Sequence, residues 1–428
     1  MTAQFSIKDG RSWKVPFFTI WGGQAFSILG SQLVQFALVW YLTVQTGSAI
    51  VLATASMAGM LPNVILGPFV GALVDRWNRR RIMIISDSLI ALATVLLAVL
   101  FALGVVEIWH IYALLFIRSL GSTFHGNAMN ASTALLVPVE HLTRVQGFNQ
   151  MLNGGLNIVS APLGALLLNY LPLQGVLAID VSSALVAIVP LFFFNIPQPE
   201  RPNSPDQKTT VWIDFKQGLQ YILGWRGLMI IGLMTVGINF TILPAFSLLP
   251  LLVKNYFGGN AAQLSMVEAS MGIGVFLGGA LLGVWGGFDR KIKTSMIGLA
   301  GMGAGTLILA LAPSSSLYLA IAGALLAGLM EPITMGPFFA IIQANVEPEM
   351  QARVFALMTC VGTAIAPIGL MVAGPIAEQF GIQVWFFVGG GLCILMALLG
   401  LCVPAVMNIE EQRSIGIRNL ERVSQKAG

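Results

Sequence analysis

Long apolar runs recur along the whole chain and constrain its fold more than any other feature. Each is long enough for an α-helix to cross a bilayer, which takes about 20 residues. The runs are continuous, whereas spanning strands would be about 10 residues long with alternating apolar and polar positions. We therefore predict an all-α membrane protein. The twelve predicted transmembrane helices cover residues 15–41, 48–74, 82–104, 108–136, 145–171, 174–194, 228–253, 264–287, 294–313, 317–345, 352–379 and 382–407.

The composition excludes a water-soluble protein. Charged residues make up 9% of the 428 residues and hydrophobic residues 56%, whereas soluble domains carry about 25% charged residues. The sequence has no phosphate-binding loop for an ATP-driven pump and no catalytic cluster, so we predict a non-enzyme without nucleic-acid partners. The Cys and His residues lack metal-ligand spacing, and we predict no metal and no cofactor. We expect His110, His125 and His141 to form hydrogen bonds near the membrane edge.

Basic residues indicate how the chain is oriented. Of the 22 Lys and Arg residues, 20 fall in the tails and connections that are cytosolic if both termini are cytosolic. This distribution obeys the positive-inside rule. The two exceptions are Lys254, in a predicted outer connection, and Arg118, inside a span.

A proline-rich polar stretch, "IPQPERPNSPDQK", divides the chain in the middle. We predict an N-terminal six-helix half at 1–194, a cytosolic linker at 195–227, a C-terminal six-helix half at 228–407 and a cytosolic tail at 408–428. The halves also echo each other: "VPVEHLTRVQG" at 137–147 recurs as "VEPEMQARVFA" at 346–356. Such parallel repeats are typical of transporters with two pseudo-symmetric halves.

The loop "GALVDRWNRRR" at 71–81 crowds one Asp and four Arg between two apolar runs. It resembles the major facilitator signature between helices 2 and 3, approximately G-x-L-x-D-R-x-G-R-[RK]. Asn78 replaces the usual glycine, and we expect it to take the left-handed backbone that Asn tolerates. The resemblance implies the major facilitator fold and a cytosolic latch, although the loop could instead only fix topology. The latch residues would be Gly71, Asp75, Arg76, Arg79 and Arg80.

Two rows of glycines have the four-residue spacing that lets membrane helices approach closely. We expect such packing at Gly67 and Gly71, and at Gly279, Gly283 and Gly287.

Charged residues inside spans are costly and usually functional. Arg118, in "LLFIRSLGS", resembles the second major facilitator signature, and its alternative is a structural arginine bound to backbone carbonyls. Carboxylates removed from water bind protons more readily, so Asp180 and Glu331 are candidates for proton coupling together with Arg118; each acid could instead be structural. We expect Asp87 to pair with the arginine loop.

The first 190 or so residues are similar to bacterial macrolide-efflux permeases, through "YLTVQTGSAIVLA", "LPNVILGPFVGALVDR", "LLFIRSLGSTFHGNAMNA" and "LAIDVSSA". The resemblance implies a monomeric exporter in the bacterial plasma (inner) membrane. It would move a bulky amphipathic molecule, such as a macrolide antibiotic, across the lipid bilayer by alternating access and proton antiport. Siderophore export and lysophospholipid transport are the alternatives within the superfamily, and a membrane protein that is not a transporter is the less favoured class.

The fold that the resemblance implies places a substrate cavity between the halves at mid-membrane. Polar and aromatic residues of the spans are candidates for its wall, since such walls suit amphipathic ligands. Prolines of helices 5 and 11 are candidates for helix bends. The cavity candidates are Gln24, Gln32, Gln35, Phe36, Asn127, Asn153, Asn157, Asn239, Phe240, Phe338 and Gln343, and the bend candidates are Pro162 and Pro367.

Overall fold

The computed structural model describes residues 13–194, 196 and 211–410, and this part of the chain is helical without a strand. The N-terminal segment, most of the predicted linker and nearly all of the predicted tail lie outside the described residues. The helices are α1 (Lys14–Thr46), α2 (Ala49–Arg76), α3 (Arg79–Ala102), α4 (Ile108–Leu136), α5 (Val139–Tyr170), α6 (Leu173–Phe193), α7 (Val211–Gly224), α8 (Arg226–Ser247), α9 (Leu249–Leu251) with a π-helical turn (Leu252–Tyr256), α10 (Ala261–Trp285), α11 (Lys291–Leu311), α12 (Leu317–Asn345), α13 (Pro348–Ala364), α14 (Ala366–Phe380), α15 (Gln383–Cys402) and α16 (Pro404–Met407).

Eleven stretches of the described helices are long and apolar enough to cross a membrane. They match eleven of the twelve predicted spans. The remaining span corresponds to α4, which has 29 residues and is therefore long enough. Its sequence contains Arg118, His125, Asn127 and Asn130, which lower the hydropathy of this span.

The chain divides into two compact units. Unit 1 contains residues 1–39 and 58–203, and unit 2 contains residues 40–57 and 204–428. The hairpin between α1 and α2 therefore groups with unit 2, although it precedes most of unit 1 in sequence. The 211–224 stretch, for which the sequence predicts no helix, forms α7 and packs against α13.

The internal repeat is visible in how helices pair within each unit. In unit 1, α3 packs against α4 and α6; in unit 2, α11 packs against α12 and α15. These are the third, fourth and sixth spans of each half, so both halves use the same arrangement. The core of unit 2 is rich in methionine, including Met234, Met296 and Met302, and Met fills irregular gaps between helices well.

The two proline positions behave differently. Pro162 lies inside α5, which is continuous from Val139 to Tyr170. Pro367 lies in the first turn of α14, directly after the helix is interrupted at Ile365. Proline has no N–H to bond the preceding turn, so the eleventh span is built from two helices where the sequence predicts one.

The predicted close packing at two glycine rows is wrong. A Cβ built on Gly71, Gly279 or Gly283 meets no described atom within 4 Å, and Gly287 has a φ of +81° and lies beyond the end of α10. The close approach in α10 occurs one position earlier. A Cβ on Gly278 would lie 2.0 Å from the Leu329 carbonyl oxygen of α12.

Adjacent glycines of α10 allow a matched test of this packing. We expect Gly278→Ala to lower the stability of the folded state by about 1–3 kcal/mol, the usual effect of overpacking, because its methyl group would collide with the α12 backbone. Gly279→Ala, whose Cβ has open space, should melt like the wild type. Thermal unfolding in detergent measures the melting temperature of both variants. Equal melting temperatures would contradict the close packing of α10 on α12 at Gly278.

Candidate functional site

A buried ion pair lies inside unit 1, between α4 and α6. Arg118 Nη1 donates to Asp180 Oδ2 at 2.5 Å and Nη2 to Oδ1 at 3.4 Å. The two side chains are 8% and 2% exposed. The structure thus brings together two of the three proton-coupling candidates, which lie 62 residues apart in sequence.

Hydroxyl groups from α1 and α3 complete the surroundings of Asp180. Ser31 Oγ donates to Asp180 Oδ1 at 3.2 Å. Thr94 Oγ1 accepts from Arg118 Nη1 at 3.1 Å and lies 3.2 Å from Asp180 Oδ2 and 2.9 Å from the Ile90 carbonyl. A hydroxyl has a single hydrogen, so Thr94 donates to one of these two acceptors at a time. We call Ser31, Thr94, Arg118 and Asp180 the Arg118 layer.

Two glycines bring these four helices close enough for the contacts to form. A Cβ on Gly30 of α1 would lie 2.2 Å from Ser183 Oγ of α6, and a Cβ on Gly121 of α4 would lie 2.7 Å from Ile90 Cγ1 of α3. Larger residues at either position would push the helices apart. The close contact with Ile90 therefore explains why the position about one turn after Arg118 is a glycine.

A second polar cluster lies in the same unit. Gln24 Nε2 of α1 donates to Asp87 Oδ2 of α3 at 3.2 Å, and His125 Nε2 of α4 lies 3.6 Å from the same oxygen. We call these three residues the Asp87 layer. The prediction that Asp87 pairs with the arginine loop is wrong, as is the prediction of a membrane-edge hydrogen bond for His125, because both side chains face this cluster.

The two layers have the same spacing on three helices. Gln24 and Ser31, Asp87 and Thr94, and His125 and Arg118 are each seven residues apart. Seven residues make about two helical turns, or about 10 Å. Paired polar residues at this spacing on neighbouring helices are the sequence signal that could have revealed the Asp87 layer.

The arginine loop binds backbone carbonyls of α4 and α6 inside unit 1. Arg79 Nη1 donates to the Ala131 carbonyl at 2.9 Å. Arg80 donates through Nε to the Leu191 carbonyl and through Nη2 to that of Phe192, the latter at 2.9 Å. Leu191 and Phe192 lie in the last turn of α6, where backbone carbonyls attract cations, so Arg80 stabilises the end of that helix.

The structure corrects the expected backbone of Asn78. Its φ of −71° and ψ of 111° are extended, and its Oδ1 accepts from Arg81 N as the N-cap of α3. Asparagine is favoured as an N-cap, which explains its presence without a left-handed turn. Arg76 is exposed, and the side chain of Asp75 lies outside the described residues.

In unit 2, two charged side chains hold the α1–α2 hairpin by its helix ends. Lys254 Nζ donates to the Thr43 and Val44 carbonyls at 2.9 and 2.8 Å. Glu378 Oε1 accepts from Ile50 N at 3.2 Å and from Ser48 Oγ. The cation is at the C-terminal end of α1 and the anion at the N-terminal end of α2, as the helix dipoles favour. We call Lys254, Glu378 and Ser48 the hairpin clasp.

The remaining candidates are distributed over both units. Glu331 is exposed on α12, with no partner among the described residues.

The cavity candidates lie in different surroundings. Phe36 packs against Gly164, Phe338 belongs to the core of unit 2, and Gln24 is part of the Asp87 layer. Asn127 and Asn239 bond to carbonyls of their own helices, and Phe240 contacts Trp385. Gln32 is partly buried, whereas Gln35, Asn153, Asn157 and Gln343 are exposed.

Comparison with known proteins decides the family. The family model described as Major Facilitator Superfamily matches residues 20–252 and 228–422. The chain belongs to the major facilitator superfamily. It is 35% identical to Macrolide efflux protein A of Streptococcus pyogenes, over 91% of this chain and 96% of that protein. It is 34% identical to the protein of that name in Enterococcus faecalis, over 76% of this chain and all of the other.

Solved structures support the same fold. A bacterial homologue of the human lysosomal transporter Spinster superposes with a TM-score of 0.69 at 12% identity, covering 95% of this chain and 98% of that one. A point mutant of the nucleoside transporter NupG gives a TM-score of 0.68 at 14% identity, covering 91% of this chain and 98% of that one. This major facilitator protein is therefore a multi-pass membrane efflux transporter with the predicted all-α fold, and not an enzyme.

The Arg118–Asp180 pair should be essential for the stability of this transporter. Asp180→Asn leaves a buried arginine without its counter-charge, and breaking such a pair costs about 3–5 kcal/mol. Replacing both residues, as in Arg118→Met with Asp180→Leu, should destabilise less than Asp180→Asn alone.

Thermal unfolding in detergent measures the stability of these variants. Ser182→Ala, at an exposed position of the same helix, serves as the control and should melt like the wild type. An Asp180→Asn protein that also melted like the wild type would show that Arg118 does not depend on this carboxylate.

Proposed function

We propose that this transporter exports macrolide-type drugs from the bacterial cytoplasm in exchange for protons. The observation that carries the proposal is the 35% identity to Macrolide efflux protein A, which extends over nearly the whole length of both proteins. A match of this extent includes both halves and the connections between them. The resemblance read from the sequence covers the first 190 or so residues well and the rest more diffusely.

Proton antiport is supported by charged groups within the spans. Arg118 and Asp180 form one such group, and Glu331 is a carboxylate in a span with no described partner. Ionisable residues at membrane depth are typical of proton relays. Arg118, Asp180 and Glu331 therefore remain candidates for coupling the proton gradient to export.

We further propose a plasma-membrane location with both termini cytosolic. The support is the distribution of basic residues, since 20 of 22 lie on the cytosolic side in this orientation. The hairpin clasp then lies on the outer side, and the arginine loop lies at the cytosolic surface among anionic lipid headgroups.

A macrolide retention assay tests the proposed function. Expressed in a bacterial host without its own exporters, the protein should lower the retention of a labelled 14- or 15-membered macrolide relative to empty vector. A protonophore should restore retention to the vector level, because the driving force is a proton gradient. Unchanged retention despite confirmed membrane expression would contradict macrolide export, and siderophores and lysophospholipids would be tested next.

A broader drug range is a second candidate, favoured by one observation. The chain is 24% identical to the Multidrug efflux pump Tap of Mycolicibacterium fortuitum, over 89% of this chain and 93% of that protein. Growth inhibition by chemically unrelated drugs separates the two: protection against macrolides alone supports the narrower function.

Alternating access predicts that the hairpin clasp opens during each cycle. The clasp ties residues 43–50 to Lys254 and Glu378 within unit 2, whereas α1 as far as Val39 and α2 from Ala58 onward group with unit 1. If α1 and α2 move as continuous helices, the clasp contacts must break when unit 1 moves.

Crosslinking tests this mechanism. In a background in which Cys360, Cys393 and Cys402 are replaced by serine, Ser48→Cys with Glu378→Cys should be joined by a short thiol crosslinker and lose macrolide export. Cleavage of the crosslink should restore export, and either single substitution should be insensitive to the reagent. Full export by the crosslinked protein would show that the clasp stays closed during transport.

A further inference from the structure

We propose that the Asp87–His125 pair is the site that binds and releases the exchanged proton. This inference rests on the proposed proton antiport and assigns the proton to residues outside the three coupling candidates of the sequence. The pair joins α3 and α4 in the interior of unit 1, and the side chains are 6% and 13% exposed. Both members of the pair are therefore largely shielded from water, and His125 is the more exposed of the two.

The charges of the two layers require one proton for neutrality. Arg118 and Asp180 cancel each other. Asp87 with a neutral His125 leaves one uncompensated negative charge, which is unfavourable in a low-dielectric interior. One proton added to the pair makes the whole network neutral, whether it is held by the imidazole or by the carboxylate.

The geometry fits a site that can bind this proton. His125 Nε2 is buried and has no hydrogen-bond partner in the described part of the structure. The 3.6 Å between it and Asp87 Oδ2 is too long for a hydrogen bond. A proton between them would form a charge-assisted bond of about 2.7–2.9 Å, which draws α3 and α4 together. Proton binding is thereby linked to helix position.

The groups that face the pair are few. From α1, Gln24 donates to Asp87, and residues 15–46 of α1 and 49–74 of α2 contain no charged residue. From α4, Arg118 lies two turns from His125, and from α6, Asp180 neutralises that arginine. On α3 itself, Arg79 is bound to the Ala131 carbonyl. The proton is therefore shared between Asp87 and His125, while Asp180 is held by Arg118.

Antiport requires that the proton and the drug disfavour each other, and this coupling is reciprocal. The dissociation constant of a labelled 14-membered macrolide, measured on purified protein from about pH 5.5 to 8.5, should therefore rise as pH falls. The limiting slope for one proton is about tenfold per pH unit. Asp87→Asn and His125→Gln should bind the drug with a flat pH profile, within about twofold. His141→Gln, which alters a histidine stacked on Trp13, should keep the wild-type slope.

A second measurement, made on the wild-type protein, tests the proposal even if the Asp87 and His125 variants fail to fold. The chain has three histidines, so the ring-nitrogen NMR signals of His110 and His141 can be assigned by substitution and that of His125 by elimination. Macrolide binding at constant pH should shift the His125 signal.

Three results would overturn the proposal. The first is a wild-type pH slope retained by folded Asp87→Asn and His125→Gln. The second is a His125 signal unchanged by the drug. Both leave macrolide export intact. The third, no macrolide binding by the wild type at any pH, would overturn the proposed function as well.

Discussion

The ion pair between Arg118 and Asp180 is the interaction on which unit 1 depends. A charged side chain in a membrane interior is costly unless it is paired, so the pair constrains where α4 and α6 can lie. Ser31 of α1 adds a hydrogen bond to the carboxylate, and Thr94 of α3 accepts one from the guanidinium. Four helices are thus held to one point by polar contacts, and glycines at positions 30 and 121 allow the approach that these contacts need.

Unit 2 repeats the helix pairing without repeating this charge network. Its third span packs on its fourth and sixth, as in unit 1, but through backbone contacts at Gly298, Gly303 and Gly305 and a methionine-rich core. Glu331 occupies nearly the same place in the repeat as Arg118, yet it has no partner among the described residues. The repeat therefore preserves packing while the ionisable groups differ between halves.

Much of the fold could be predicted from the sequence because span length, charge distribution and internal repeat each have a direct physical cause. Eleven predicted spans match helices, and α4 is the twelfth. The helix interruption at Ile365 is harder to predict from the sequence, because a proline such as Pro162 can also lie within a continuous helix. The glycine row predicted for α10 lies on the wrong face of that helix, since four-residue spacing alone does not tell which neighbour a helix meets.

The candidate site was predicted only in part for the same reason. Arg118 and Asp180 stood out as charges in apolar runs, but their contact joins residues 62 positions apart. Asp87 was assigned to the arginine loop because it is near the loop in sequence. In the structure it faces α1 and α4 instead, and Arg79 and Arg80 bind backbone carbonyls of α4 and α6. Side-chain partners between helices depend on rotation about each helix axis, which hydropathy does not specify.

Proton-driven macrolide transport is tested most directly with purified protein in liposomes under an imposed pH gradient. With the lumen more acidic than the medium, liposomes that contain the protein should accumulate labelled macrolide above the level of protein-free liposomes, and a protonophore should abolish the difference. Accumulation equal to that of protein-free liposomes, or accumulation by the protein that persists after the gradient has collapsed, would contradict proton-coupled export.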